Sequence, residues 1–533
     1  MIYDALVVGA GFGGLISAAK IARAGRRVLV LEKNPHVGGT SYIFRRGGYY
    51  FPMGPLSFSH PERVKSFFGE AGIETELDFK RNHFHLLTPF LDIIYSRPLE
   101  ILQAELRDAF PDEMPGLSRF FADLGGLIRD LEDIDRRHPD FLSRTKPTDE
   151  DLPWGGETSG PTERIEKWAA LSSADYLGRL IGDPRLRNFL GSQGTTPPKM
   201  SMLNLAFMWR IMADKGIWFP ANGIHGLCRM LAAAVSFFGG EIRISAAVEE
   251  IIVRHGRATG VRTAAGDVFE ARRVISNADY KKTFLEMIDP AQVPPDHLEA
   301  VRGVPYSGSE ICVYLGIDPA RVDFSRMKAE HLFYRRDERP AAGSSAAAGA
   351  AAGTPSFVGG SASAAKARPL TDDFDNREIE ICRWSDIAGD AVPAGRASLV
   401  LRADFSYAEM AAWRTGEKMR KDGYRESKNE LARKLIRTVE HILPGLSSSI
   451  EVMDVATPLT YRDWGQRTEG SIAGWTWAAD PAARLPGTLL VETPVENLFM
   501  AGIYAAKELF LGGIPTALYT GSRAADLVLD TSN

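Results

Sequence analysis

Six residues near the amino terminus, Gly9-Ala10-Gly11-Phe12-Gly13-Gly14, restrict this chain more than any other stretch. They fit G-x-G-x-x-G between a short apolar β-type run, Tyr3 to Val8, and a segment suited to a helix, Gly13 to Ala24, ended by Gly25. A second β-branched run, Arg27 to Leu31, completes a β-α-β unit. In such a unit Gly9 permits the tight turn, Gly11 lets the backbone approach a pyrophosphate, and Gly14 lets helix and strand pack closely. The helix start at Phe12 and Gly13 offers N–H groups and a positive dipole end to phosphate. Glu32 follows Gly14 by eighteen residues and ends the second strand, where it is placed to accept hydrogen bonds from a ribose with a free 2′-hydroxyl. The competing reading is an ordinary glycine turn; the β-α-β placement and the spacing of the acid favour a dinucleotide site. After Glu32 come Lys33, Gly38, Gly39, Thr40 and Ser41, and paired glycines there allow backbone approach to an extended cofactor, the alternative being an exposed turn.

At 533 residues the chain is too long for one ordinary core, so two or more lobes are expected. Hydrophobic content of 44% with 25% charged residues indicates a globular protein rather than global disorder. The net charge is only -5, with 63 cationic and 68 acidic residues mixed throughout, which speaks against a nucleic-acid partner. Cys228, Cys312 and Cys382 are far apart and form no Cys-x-x-Cys pair, so a reducing, cytoplasmic setting is expected. The apolar start reads as mature protein, since Asp4 precedes the run and no basic segment leads it. No stretch reaches the roughly 18 uninterrupted apolar residues of a membrane span, leaving open peripheral attachment to the inner face of a membrane. The ten histidines show no metal-binding spacing, and no metal is expected.

From about Pro61 to Phe219 the pattern reads as largely helical, with Leu117, Phe120, Phe121, Leu124, Leu127, Ile128 and Leu131 on one helix face. That face fits core packing, with an interfacial or substrate-tunnel role as the alternative. Met202 to Trp218 is rich in Phe, Trp, Met and Leu and suits a long apolar ligand, although core packing explains it as well. Glu241 to Asn277 reads as a β-meander with turns at His255-Gly256 and Ala265-Gly266-Asp267. Arg339 to Leu370 is a low-complexity insertion too poor in apolar side chains to offset its ordering entropy. There is no repeat of solenoid length.

The stretch from Glu32 to Ser41 resembles the E-x-x-x-x-x-G-G segment of the flavoprotein group that contains phytoene desaturases, carotenoid isomerases, retinol saturases and amine oxidases. Asn497-Leu498-Phe499-Met500-Ala501-Gly502, then Gly512-Gly513-Ile514-Pro515 and Gly521, looks like their closing flavin motif. Phe219-Pro220-Ala221-Asn222-Gly223 with Leu227 resembles their P-x-G-G-x-x-x-L turn, and Val248 with Val274 to Asp279 their adenine-side return. The resemblance implies FAD as cofactor and an α/β fold. It implies a Rossmann-like (GR2-type) FAD-binding domain built from discontinuous segments, with an α+β substrate-binding domain. The implied FAD-binding parts are residues 1–75, 220–305 and 486–533; the substrate domain takes 76–219, mainly helical, and 306–485, with a flexible insertion at 339–370. Cofactor contacts implied, besides those above, are Gly54, Val248, Gly502, Ile503, Gly513, Ile514 and Pro515. Pro515 independently suits the first turn of a helix to about Leu529, whose positive end would face the flavin pyrimidine. Three positions depart from the group: Ile503 where relatives have an acid, Asn222 for the first glycine of the P-x-G-G turn, and Phe51-Pro52-Met53-Gly54 for Phe-Asp-x-Gly. Gly39-Thr40-Ser41, without Gly-Gly-Arg, leans towards the carotenoid-isomerase and retinol-saturase side.

The activity so implied is redox chemistry or flavin-assisted isomerisation at carbon-carbon double bonds of a polyene or isoprenoid lipid, with hydride exchanged at flavin N5. No second G-x-G-x-x-G and no Cys-x-x-Cys is present, so an external electron donor or acceptor (quinone, oxygen or a reductase) is expected. Tyr504, Lys507, Glu508 and Tyr461 are polar candidates near the flavin, each with a structural role as the more common alternative. The rival readings are an amine or porphyrinogen oxidase sharing these motifs, and a non-catalytic prenyl-lipid carrier of the same architecture, as in Rab GDP-dissociation inhibitors.

Overall fold

Unbroken apolar runs such as Ala5 to Val8 and Val28 to Leu31 suit strands buried on both faces, and the strands Ile2–Val8 and Val28–Leu31 are parallel neighbours in one sheet. The protein is seen here as a computed structural model that describes residues 2–137, 161–221, 223–336, 373–388, 392–476, 489–507 and 511–530. Between the two strands runs the helix Phe12–Arg23, ended by Gly25 at φ +75°, a left-handed conformation natural to glycine. The sheet has the order Glu241–Arg243, Val28–Leu31, Ile2–Val8, Val268–Ser276, Arg257–Thr263, Val248–Arg254, and Leu498–Met500 also pairs with Val268–Ser276. Segments from the start, middle and end of the chain therefore share one sheet. Antiparallel pairing joins the three strands of the meander, which turns at His255-Gly256 and at Gly266.

Register decides where the site lies. Val8 pairs with Leu31 and with Ser276, and Ser276 with Met500, so four parallel strands end at one level. The carboxyl ends of parallel strands are where open α/β sheets bind ligands. The closing helix Gly513–Asp530 packs on the opening helix so tightly that a Cβ on Gly521 would stand 2.1 Å from the Gly13 carbonyl oxygen. Lys20 ties this layer together, its Nζ 2.8 Å from carboxylate oxygens of both Glu70 and Asp526.

A second seven-stranded sheet has the order Ile450–Ala456, Glu310–Ile317, Ala397–Asp404, Ile379–Arg383, His331–Tyr334, Phe84–Leu87, Asp92–Ile94. Helices cover it, among them Met114–Arg137, which buries Leu117, Phe120, Phe121, Leu124, Leu127 and Leu131, while Ile128 is partly buried; this face is core. Pro61 to Phe219 is largely helical as expected, with short strands between the helices that the pattern did not mark. Phe79–Asn82, Phe84–Leu87, Asp92–Ile94 and Ile217–Pro220 are strands, because tertiary pairing with His331–Tyr334 and with one another overrides the weak local pattern. Met202–Arg210 is a helix buried nearly all round, with Trp209 Nε1 donating to the Leu190 carbonyl at 2.8 Å and its ring edge-on to Phe189. No residue from Met202 to Trp218 lines the cavity described below, and most of the segment is packed in the core of the second lobe. Arg339 to Leu370 lies outside the described residues. No helix among the described residues is long and apolar enough to cross a membrane.

Candidate functional site

The residues that follow the aligned strand ends line one cavity of about 560 Å³. Gly9 leaves the first strand at φ +94°, and its N–H donates to the Leu31 carbonyl at 2.8 Å. A Cβ on Gly14 would meet the Gly9 carbonyl oxygen at 2.0 Å, so Gly14 supports the turn from behind and does not itself line the cavity. Gly9, Gly11, Phe12 and Gly13 do line it. Glu32 is 4% exposed; its Oε2 accepts from Ala10 N at 2.7 Å and its Oε1 from Asn34 N at 2.8 Å. These bonds hold the carboxylate at the lip of the turn, where a ribose would present its hydroxyls. Lys33, Gly39, Thr40, Ser41, Gly54 and Val248 extend the lining, and burial lowers the Lys33 ammonium to about 8.

From the other end of the chain come Gly502, Ile503, Tyr504, Gly513 and Ile514. The Gly502 carbonyl accepts from Thr520 Oγ1 at 2.9 Å, which fixes the strand end to the closing helix. A Cβ on Gly13 would stand 2.5 Å from Gly502 N, so the amino-terminal turn and the carboxyl-terminal motif touch. Pro515 is buried in the first turn of the closing helix, behind the lining. Tyr504 shares a 2.7 Å hydrogen bond with Ser471 Oγ, and its carbonyl accepts from Trp475 Nε1; burial raises its phenol. Lys507 is not among the residues lining the cavity, and Ala506 before it bridges to Leu489. Glu508 and Asn222 lie outside the described residues. Gly54 has a steric reason independent of any ligand, since a Cβ there would meet the Thr40 carbonyl oxygen at 2.7 Å.

The lining also holds Tyr461, one of the polar candidates, Asn277, which the sequence marked only as part of the return Val274 to Asp279, and residues that the sequence did not single out. Asn277, directly after the return strand, packs its side chain against Gly11, Gly13 and Gly502. Arg467 donates to Thr40 Oγ1 at 2.8 Å and to the Ile472 carbonyl at 2.7 Å. The second sheet contributes Glu310, Glu380 and Arg402, and Tyr461 donates to Glu310 Oε1 at 2.7 Å. Arg402 Nη2 donates to the Gly54 carbonyl, tying that sheet to the dinucleotide groove. The only trace of these groups in the sequence is a charge inside an apolar β run, as in Leu399-Val400-Leu401-Arg402. Among the described residues no group of His, Cys, Asp and Glu is arranged to hold a metal ion, and all three cysteines are free and buried.

The cradle passes a test of fit for an extended dinucleotide. It runs without a break from a buried ribose-type acid, past a turn whose glycines leave backbone N–H groups at a helix start, to a second helix start at Gly513. Such a groove, spanning both ends of the chain above the strand ends, defines an FAD-dependent oxidoreductase. The chain belongs to the flavin containing amine oxidoreductase family, whose sequence profile matches residues 12–323. It is 26% identical over 531 residues to the chloroplastic prolycopene isomerase of Arabidopsis thaliana, covering 95% of this chain and 79% of that one. It is 25% identical over 337 residues to the lycopene-forming phytoene desaturase of Pseudescherichia vulneris, covering 59% and 63%. Among solved structures, a redesigned putrescine oxidase superposes with a TM-score of 0.62 at 15% identity over both full chains. Cyclohexylamine oxidase from Brevibacterium oxydans gives 0.58 at 14% over 99% of each, and both likenesses concern the fold. Bound FAD supplies a ring that accepts or delivers hydride; the chain has to hold it, exclude water and place substrate and protons.

Proposed function

We propose that this protein acts on carbon-carbon double bonds of a long apolar polyene or isoprenoid lipid, with isomerisation as its principal reaction. One observation carries the reading: the likeness to prolycopene isomerase runs through 95% of this chain and 79% of that one. FAD would be held along the cavity by Glu32 at its adenosine ribose, by Gly9 to Gly13 at its pyrophosphate, and by Gly39 to Ser41, Gly54 and Gly502 to Tyr504 at its ring. The apolar part of the lining, Met53, Leu56, Ile472, Ala473 and Ile503, suits a hydrocarbon chain beside the ring. Isomerisation moves no net electrons, so an external partner, an acceptor such as a quinone or oxygen or a donor such as a reductase, is needed only to set the flavin's redox state. The intact phosphate turn argues against a non-catalytic carrier.

The deciding experiment mixes the FAD-loaded protein anaerobically with poly-cis carotenoids, phytoene, retinoids and amines. Chromatography is expected to show cis-trans products from the polyenes, and turnover confined to amines would sink the reading. The cofactor assignment has its own test. Glu32→Ala removes the ribose acceptor and leaves Ala10 N and Asn34 N without their partner, so it is expected to weaken FAD binding about 10- to 100-fold, read by fluorescence titration. An unchanged affinity would place the adenosine elsewhere.

A further inference from the structure

Cross-strand register brings two carboxylates onto one guanidinium at the cavity wall. Arg402 pairs directly with Glu380 on one side and with Cys312 on the other, which puts Glu310 two residues along the same face. Arg402 Nε is 3.6 Å from Glu310 Oε1, and Arg402 Nη1 is 3.6 Å from Glu380 Oε2. The three side chains, Arg402, Glu310 and Glu380, are 13%, 2% and 3% exposed, and all line the cavity. One cation facing two buried carboxylates cannot neutralise both, so one carboxyl is driven to hold its proton.

The surroundings decide which. Glu380 has a second partner in His331, whose Nδ1 is 3.0 Å from Glu380 Oε1, while Asn82 Nδ2 lies 3.3 Å from the other ring nitrogen, Nε2. With the amide donating to Nε2, the ring keeps its proton on Nδ1 for Glu380. Hydrogen bonding to His331 and the charge of Arg402 hold Glu380 below the usual glutamate range despite burial. Glu310 receives the Tyr461 hydroxyl on Oε1, and no described residue bonds its Oε2. Burial pushes Glu310 up, against the pull of Arg402, Tyr461 and Arg467 and with the push of Glu380; Cys312 and Tyr314 beside it are themselves raised by burial and stay neutral. Two carboxyls whose surroundings drive them apart are the mark of an acid-base assignment.

We infer that Glu310, which lines the cavity and holds an unbonded Oε2 buried in its wall, is the proton donor and acceptor for double-bond isomerisation, a turn of the side chain bringing Oε2 to the substrate. The inference rests on the polyene reading above. The Glu310 O–H bond breaks as a C–H bond forms at one end of a conjugated double bond, using its π pair. The positive charge spreads over the remaining polyene, and the former double bond, now single, rotates. The Glu310 carboxylate then takes a proton back from that carbon and the double bond re-forms. No electron enters or leaves. During the cationic stage the wall holds two carboxylates against one guanidinium, a net negative field beside the positive chain, so the wall favours the charge it creates.

The test compares wild type with Glu310→Gln, each loaded with FAD, on a poly-cis carotene. Glutamine keeps the shape but cannot give a proton, so the isomerisation rate is expected to fall at least about 100-fold with flavin content unchanged. Wild type is expected to slow in D₂O and to lose activity as rising pH ionises Glu310, while the residual rate of the Glu310→Gln variant shows neither dependence. Without any substrate, the infrared difference between wild type and Glu310→Gln is expected to hold a protonated-carboxyl band, over the background of Asp404 and Glu378, whose carboxyls burial also raises, and that band is expected to shrink in Glu380→Gln, where Arg402 is left to Glu310 alone. If Glu310→Gln fails to fold, Tyr461→Phe serves instead, moving the alkaline limb of the pH profile by removing the bond to Oε1. A Glu310→Gln rate within about threefold of wild type, or a wild-type minus Glu310→Gln difference spectrum without a protonated-carboxyl band, overturns the inference while leaving the polyene reading intact. Wild type that changes no polyene overturns both.

Discussion

Gly13→Ala is expected to yield a folded protein that purifies with at least about tenfold less FAD than wild type. The added Cβ would lie 2.5 Å from Gly502 N, 2.6 Å from Asn277 Oδ1 and 2.8 Å from Gly502 Cα, closer than packed atoms approach. Two of these contacts are backbone, so the turn at the first strand and the end of the strand Leu498–Met500 must move apart. Overpacking of this kind costs about 1–3 kcal/mol, which a chain of this size tolerates, but the displacement falls where both halves of the groove meet. Gly513→Ala separates steric need from ligand contact. Nothing stands within 4 Å of a Cβ there, so thermal stability is expected to hold, and any loss of flavin reports contact with the cofactor itself. The flavin-to-protein absorbance ratio and a melting curve on each variant decide the matter. Full flavin content in Gly13→Ala would mean that the two ends of the chain do not close on the same molecule.

The groove was legible because its parts are local. A continuous apolar run, a glycine turn, a helix and an acid at fixed spacing form one β-α-β unit, and nothing distant is needed to read it. The closing motif was legible only through resemblance, since Leu498–Met500 and the helix after Gly513 would otherwise pass for an ordinary buried strand and helix. Glu310, Glu380 and Arg402 were not legible at all. They sit on three separate strands of the second sheet, and only the register Glu380 to Arg402 and Cys312 to Arg402 brings them together. A charge within an apolar run reads from sequence as a strand end or an exposed edge, and the partner that makes it buried lies tens of residues away. The strands between Phe79 and Ile94 escaped for a related reason: each is three or four residues long, too short for periodicity to outweigh helix-like composition.

Arg402→Met is expected to cost about 3–5 kcal/mol of stability at neutral pH, because it strips the shared cation from two buried carboxyls without removing either. The loss has a pH signature whose sign follows from Glu380. In the wild type its carboxyl is held below the usual range, so its contribution is present above the unfolded-state value and fades as pH falls through the folded one. Without Arg402 that contribution disappears, and the buried carboxyl instead resists ionisation, so the variant loses stability as pH rises. Wild type and variant are therefore expected to differ most at neutral and alkaline pH and to converge in acid, as urea unfolding across that range would record. Adding Glu380→Gln to Arg402→Met is expected to return much of the loss, since the uncompensated charge goes with it, and a double-mutant cycle would give a coupling of about 0.5–3 kcal/mol. Arg402→Met also frees the Gly54 carbonyl, the hydrogen bond by which this cluster grips the cofactor groove, so flavin content should fall along with stability. If Glu380→Gln restores stability but not flavin, the guanidinium has two separable tasks: balancing charge in the wall, and holding the second sheet against the groove in which FAD lies.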